Sequence, residues 1–161
     1  MAAYNVITIG DELLRAKAMA VRRFDARLHR MLDAMAETMY EFDGVGLAAP
    51  QIGVSKQIVV IDVGDGLVEL VNPRIVEKSG NVLGLEGCLS VPDRQGYVYR
   101  AQRVLVQAQD RFGEPLEIEA ENYFARACQH EIDHLNGILY VDKLANPSEE
   151  ELAELEEMEE E

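Results

Sequence analysis

Two of the three histidines in this chain, His130 and His134, stand four positions apart, with Glu131 beside the first. On an α-helix four residues turn through about 400°, so the two imidazoles would lie one turn apart on a single face. Two neutral imidazoles presented in that way can grip a divalent metal, and the adjacent carboxylate can act as a base on water at that metal. The plainer reading is two surface histidines on an ordinary helix. The H-E-x-x-H pattern asks for three specific residues at once and favours the metal. A catalytic site needs a third protein ligand and one open position. No histidine follows His134, and His29 falls on the polar face of an earlier helix, where it reads as a solvated residue. Cys88, a carboxylate or Cys128 remain. Cys128 comes two residues before His130, about 200° round the helix, and reads as a core thiol. Cys88 lies between Gly87 and Leu89 in a Gly-flanked extended stretch that allows close backbone approach. As a ligand it would be a soft thiolate, and as a buried structural thiol it would be equally at home. The residues alone do not choose between these two.

The elements that must position these groups can be read from periodicity. Glu12–Arg15 reads as a short helical turn. Asp25 is placed to cap a helix in which Leu28, Met31, Leu32, Met35 and Met39 recur with a period of 3.6, the methionines serving as core filler. Gln57–Val63 is an apolar β run, and Gly64-Asp65-Gly66 turns it into a second strand over Leu67–Val71. Asn72-Pro73 breaks that strand, and Arg74–Glu77 resumes it. Val104, Val106 and Ala108, then Leu116, Ile118 and Ala120, alternate as two antiparallel strands. The histidine helix runs from Tyr123 to about Asn136, with Asn122 as its cap and Gly137 as the left-handed residue beyond it. Ile138–Val141 reads as a short extended segment. Ser148 and Glu151 form a capping box for a last helix with a narrow stripe of Leu152, Leu155 and Met158. The fold class is therefore α+β: antiparallel strands packed around a central helix carrying H-E-x-x-H, with one helix before and one after. Residues 1–146 form one domain and 147–161 an acidic helix or tail.

Composition bounds the function. The chain has 161 residues, 48% of them hydrophobic, which suits one globular domain. No apolar run reaches the length of a membrane span, and the N-terminal residues lack a secretory or transit pattern, so a cytoplasmic location is expected. The net charge is −15, with nine glutamates and no basic residue from Ser148 to Glu161. Such a balance argues against binding nucleic-acid phosphates. Without an export signal the two cysteines read as thiols or ligands rather than a disulfide. The acidic tail reads as a solvated helix that aids solubility.

Three stretches stand in order along the chain: Gly44-Val45-Gly46-Leu47-Ala48-Ala49-Pro50-Gln51, Glu86-Gly87-Cys88-Leu89-Ser90 and His130-Glu131-Ile132-Asp133-His134. The first is no dinucleotide loop, since no strand precedes it and Pro50 interrupts it. Together the three resemble the signature motifs of the peptide deformylases, and the resemblance extends from about Leu13 to Val141. It implies that Cys88, His130 and His134 hold the metal with water as fourth ligand, and that Glu131 is general base and then acid. It implies that the Gln51 side-chain amide and the Leu89 backbone N–H bind the oxyanion. Gly46 would offer backbone groups to the peptide and Val45 would line the methionine pocket. Tyr123, Arg126 and Ala127 would line it too, Arg126 through its aliphatic stem with the charge turned outward. Glu86 and Arg100 would pair behind Cys88, while Asp133 is either a further partner there or a solvated residue. The segment from Pro92 to Arg100 carries no motif.

The implied reaction is hydrolysis of the formyl group from N-formylmethionyl peptides by a monomer, with one divalent metal per chain. The ligand set alone suits zinc. The resemblance points to Fe(II), with Ni, Co or Zn able to substitute. A zinc peptidase is the rival enzyme, disfavoured by the missing third histidine. A non-catalytic, metal-stabilised interaction domain is the other rival, and it has no use for Glu131.

Overall fold

The computed structural model describes residues 4–160. Along them run α1 (Ala26–Glu41), β1 (Gly46–Ala48), β2 (Ile58–Ile61), β3 (Val68–Ser79), β4 (Val82–Cys88), β5 (Val91–Arg100), β6 (Arg103–Gln109), β7 (Pro115–Glu121), α2 (Asn122–Leu135) and α3 (Glu149–Glu160). Five strands form an antiparallel sheet in the order β1-β2-β3-β6-β7, and β4 and β5 form a separate hairpin. The fold is thus a mixed α/β one.

Helix α1 begins where its cap was expected, the Asp25 carboxylate accepting from the Leu28 N–H at 3.1 Å. Leu28, Leu32, Met35 and Met39 are buried and Met31 is half-buried. They pack on one face of the sheet with Ile58, Val60 and Val71. Helix α2 covers the other face, where Ala125, Cys128, Ile132 and Leu135 meet Val59, Ile61, Leu70, Val104 and Val106. Strand β2 is buried on both sides, so its sequence is a continuous apolar run rather than an alternation. Strands β6 and β7 pair Val104 with Ala120, Val106 with Ile118 and Ala108 with Leu116, as their alternation predicted.

Several local expectations are corrected. Asn72-Pro73 does not end a strand. It makes a bulge inside β3, where the register against β6 shifts between Val71 and Arg74. Asn72 takes φ +52°, and its side-chain amide exchanges hydrogen bonds with the backbone of Val21. Asn122 does not cap α2 through its side chain. It stands at φ +54° with its N–H on the Gln102 carbonyl, making the corner from β7 into the helix. At the other end Gly137 is left-handed, φ +74°, as expected, and the N–H groups of Gly137 and Ile138 close on the carbonyls of His134 and Asp133.

Ile138–Val141 is not extended throughout, since Leu139 has extended backbone but the chain turns from Tyr140 onward. Tyr140–Lys143 is a 3-10 turn, because the Asp142 carboxylate accepts from the Leu139 N–H at 3.0 Å and is gripped by Arg15. His29 is half-buried rather than solvated, its Nε2 lying 2.7 Å from the Arg111 carbonyl. The hairpin of β4 and β5 was not foreseen as a pair of strands. Leu144 bridges to Val98 and the Ala145 N–H donates to the Tyr97 carbonyl, so the chain after α2 straps the free edge of β5. The Ser148–Glu151 capping box opens α3 as predicted. Leu152 and Leu155 are half-buried there, and the side chain of Met158 lies outside the described residues. No described helix is long and apolar enough to cross a membrane.

Candidate active site

The site lies where the β4–β5 hairpin meets α2. Cys88 is the last residue of β4, next to a register shift at Gly87 that turns the strand toward the helix. His130 and His134 sit one turn apart on α2, both buried, with ring centroids separated by 5.1 Å. The ligand atoms of Cys88, His130 and His134 all lie within 4.8 Å of one another, and Cys88 Sγ is 3.4 Å from His134 Nε2. One soft thiolate and two imidazoles at these separations suit a single divalent transition metal.

The orientation of His130 is set from behind. Its Nδ1 lies 2.8 Å from Glu86 Oε1, an acceptor, which places the proton on Nδ1 and leaves Nε2 for a metal. Glu86 is itself gripped by Arg100, with Nε on Oε2 and NH2 on Oε1, both at 2.9 Å. Arg126 NH1 adds a second donor to Oε2 at 2.6 Å. Burial alone would raise the Glu86 pKa, but the hydrogen bonds of Arg100 and His130 and the charge of Arg100 hold it well below the usual carboxylate range. Asp133, left open between two roles, accepts from Arg100 NH1 at 2.6 Å and pairs with Lys143 at 3.1 Å. Tyr140 stacks on the His130 ring at 24° between planes.

Burial and then the neighbouring His130 hold the His134 pKa well below its ordinary value, so the ring is neutral, as a ligand must be. Burial acts on His130 in the same sense. Contacts to Cys88 and Glu86 outweigh it and push that pKa up to about 10, so an entering cation displaces a proton there. Glu131 is buried against β1. Burial, reinforced by the charge of Glu86, pushes its carboxyl up to about 7. A Cβ on Gly46 would stand 2.6 Å from Glu131 Oε2, so only glycine allows the base to lie against that strand. Glu131 Oε1 is buried with no hydrogen-bond partner among the described residues. In a protein interior such an oxygen calls for water or a cation, and Glu131 borders the same cavity as Cys88 and His130, so the residues fit a metal with water beside it.

Gln51 is buried, with its Oε1 accepting from the Ala48 N–H at 2.9 Å. That fixes the amide so that Nε2 points to Ser90 Oγ at 3.2 Å and toward Cys88 Sγ at 3.6 Å. Ser90 is fully buried; in the sequence it reads only as the end of a motif, and nothing in its own spacing marks it as the partner of Gln51. Tyr140 was missed too, since its run reads as plain apolar sequence. A cavity of about 780 Å³ opens over these groups, and Val45, Gly46, Leu89, Tyr123, Arg126 and Ala127 all border it. Tyr123 is exposed at the mouth. The expectation that Arg126 turns its charge outward is wrong. The residue is buried, and its guanidinium points inward to Glu86 and to the carbonyls of Val82 and Val98, at 2.8 and 3.0 Å. Cys128 is fully buried in the core, where burial pushes the thiol up to about 12.

The family model described as polypeptide deformylase matches residues 3–150. The chain is 54% identical over 146 residues to a peptide deformylase of Carboxydothermus hydrogenoformans, covering 91% of this chain and 96% of that one. Among solved structures it is similar to the peptide deformylase of Thermotoga maritima, with a TM-score of 0.89, 44% identity and coverage of 91% and 100%. It is also similar to a class I type b peptide deformylase of Acinetobacter baumannii with Met-Ala-Ser bound, with a TM-score of 0.85, 38% identity and coverage of 89% and 99%.

Proposed function

The chain belongs to the polypeptide deformylase family, metal-dependent hydrolases that remove the formyl group from N-formylmethionyl polypeptides, and from that premise we propose how its own residues divide the reaction. The observation that carries the division is the buried, unpartnered Oε1 of Glu131 beside the Cys-His-His cluster. Cys88, His130 and His134 would hold one divalent cation per chain, which would supply Lewis acidity for the activation of water and of the formyl carbonyl. Glu131 takes the proton of the attacking water as the new C–O bond forms. The Gln51 Nε2 amide and the Leu89 backbone N–H stabilise the developing oxyanion. Glu131 then returns the proton to the leaving nitrogen as the C–N bond breaks, giving formate and a free N-terminal amine.

Val45, Tyr123, Ala127 and the stem of Arg126 form the pocket for the methionine side chain, and Gly46 offers backbone groups to the peptide. The Met-Ala-Ser bound to the A. baumannii relative supports a linear peptide in this cavity. Fe(II) is the working ion in this reading, with Zn, Ni or Co able to replace it in a thiolate and imidazole site. The enzyme acts as a cytoplasmic monomer without nucleic acid. Residues 1–146 are the catalytic domain, and the acidic segment 147–161 is dispensable for chemistry.

The test is formate release from formyl-Met-Ala-Ser. Glu131→Ala keeps a full equivalent of metal and loses about 10²–10⁴-fold in turnover. A chelator abolishes wild-type turnover, and added metal restores it. Turnover that survives in Glu131→Ala would remove the residue as base.

A further inference from the structure

The three metal-ligating side chains come from two bodies. His130 and His134 belong to α2, which is packed on the main sheet, whereas Cys88 belongs to the β4–β5 hairpin, which has no strand pairing with that sheet. The apolar contact under the hairpin is small, built on Val91, Val98, Leu139 and Tyr140. Polar side chains hold Cys88 at its distance from the histidines: Glu86 meets His130, Arg100 meets Asp133 and Gln129 meets the Ala101 backbone, but the one rooted on α2 that reaches both strands of the hairpin is Arg126. Rooted on α2, its guanidinium donates to the Val82 carbonyl near the start of β4, to the Val98 carbonyl on β5, and to Glu86 near the end of β4. One planar head thus ties both strands of the hairpin to the histidine helix. Room for that head is made by Gly84, where a Cβ would stand 2.7–2.9 Å from three guanidinium atoms.

We propose that Arg126, seated over Gly84, is a positioning residue that clamps the β4–β5 hairpin to α2 and so pre-assembles the Cys88–His130–His134 metal site. The proposal rests on the ligand assignment above. A buried charge with three acceptors under a hairpin, two of the contacts fully buried and the one to Val82 partly so, is an expensive way to line a pocket. It is an effective way to fix the separation of two elements, because the rigid fork holds several acceptors at set directions. The partner of such a clamp is glycine at the facing strand position, and that is the residue found.

The test is zinc binding to the full chain, measured by competition with a chromophoric chelator, together with hydrogen exchange of the zinc-stripped protein. Arg126→Met and Gly84→Ala each weaken zinc by about tenfold or more, and exchange rises across Val82–Arg100 while the β2 amides keep their protection. The double variant is no worse than the weaker single one, since both remove the same clamp. Arg126→Lys keeps the charge but offers one head to three acceptors, so it recovers part of the affinity. Cys88→Ser serves as the control on the ligand assignment. If Cys88→Ser holds zinc as wild type does, the ligand set is wrong. If Cys88→Ser loses zinc while Arg126→Met and Gly84→Ala bind within about twofold of wild type, the clamp alone is overturned. It is overturned equally if protection falls in β2 as much as in the hairpin.

Discussion

Glu86 serves three partners with two oxygens. Oε1 meets His130 and one guanidinium, and Oε2 meets both guanidinium groups. Its carboxylate is worth more to the folded state than to the unfolded chain, because its pKa falls well below the ordinary 4.5 on folding. A depressed carboxylate contributes stability that is complete above the unfolded pKa and is lost as pH falls through the folded one. In urea titrations between pH 7 and pH 3, the wild type should therefore lose this contribution below about pH 4.5. Glu86→Gln should be less stable at pH 7 by about 3–5 kcal/mol, since two buried guanidinium groups lose their counter-charge. Its stability should also lack that part of the acid slope, and an unchanged slope would show that the carboxylate is not the titrating group. Residue by residue, the sequence was legible where a motif fixed the chemistry, as at Glu131, and where the family resemblance implied a pairing, as at Glu86 and Arg100. It was silent about the direction of Arg126. Helical position puts that residue on the cavity, but the inward turn of its charge depends on a glycine 42 positions earlier and on carbonyls that no pattern of side chains displays.

Among the elements, those with a single covering partner were easiest to read. Strands β6 and β7 alternate because one face is packed against α2, and α1 shows its stripe because one face meets the sheet. The β4–β5 hairpin hid itself. Gly84, Gly87 and Gly96 interrupt its apolar pattern, and its central residues Asp93, Arg94 and Gln95 are exposed. It is held by buried charge where a strand pattern would have shown apolar side chains. The end of α2 was legible through Gly137, and the structure adds a second reason for glycine there. A Cβ would lie 2.3 Å from the Arg15 carbonyl oxygen, in addition to the left-handed φ of +74°. Gly137→Ala should cost about 2 kcal/mol or more. In a scanning calorimeter this appears as a Tm lower by about 4–8 °C. An unchanged Tm would mean that the segment around Arg15 yields freely and does not constrain the helix end.

At the scale of the whole molecule, one sheet divides two cores, and the acidic α3 lies past the site, carrying most of the excess negative charge. The acidic character of the C-terminal residues was visible in composition. The separation of a small hairpin from the main sheet was not, because strand order is a property of pairing and the sequence records only adjacency. That strand order has a kinetic consequence. β3 pairs directly with β6, closing at Ser79 and Arg103, so the hairpin is a detour between two neighbours. A loop of that size adds only a modest closure entropy, so the five strands and both covering helices can come together while the detour is still open. During refolding from urea, amides of β2, β3 and β6 should gain protection before zinc is captured, with Cys88 staying open to a thiol reagent in the interval. Zinc capture that keeps pace with protection of β2 would show instead that the detour closes along with the sheet. The native order makes the catalytic metal the last component to arrive, on a body already folded to receive it.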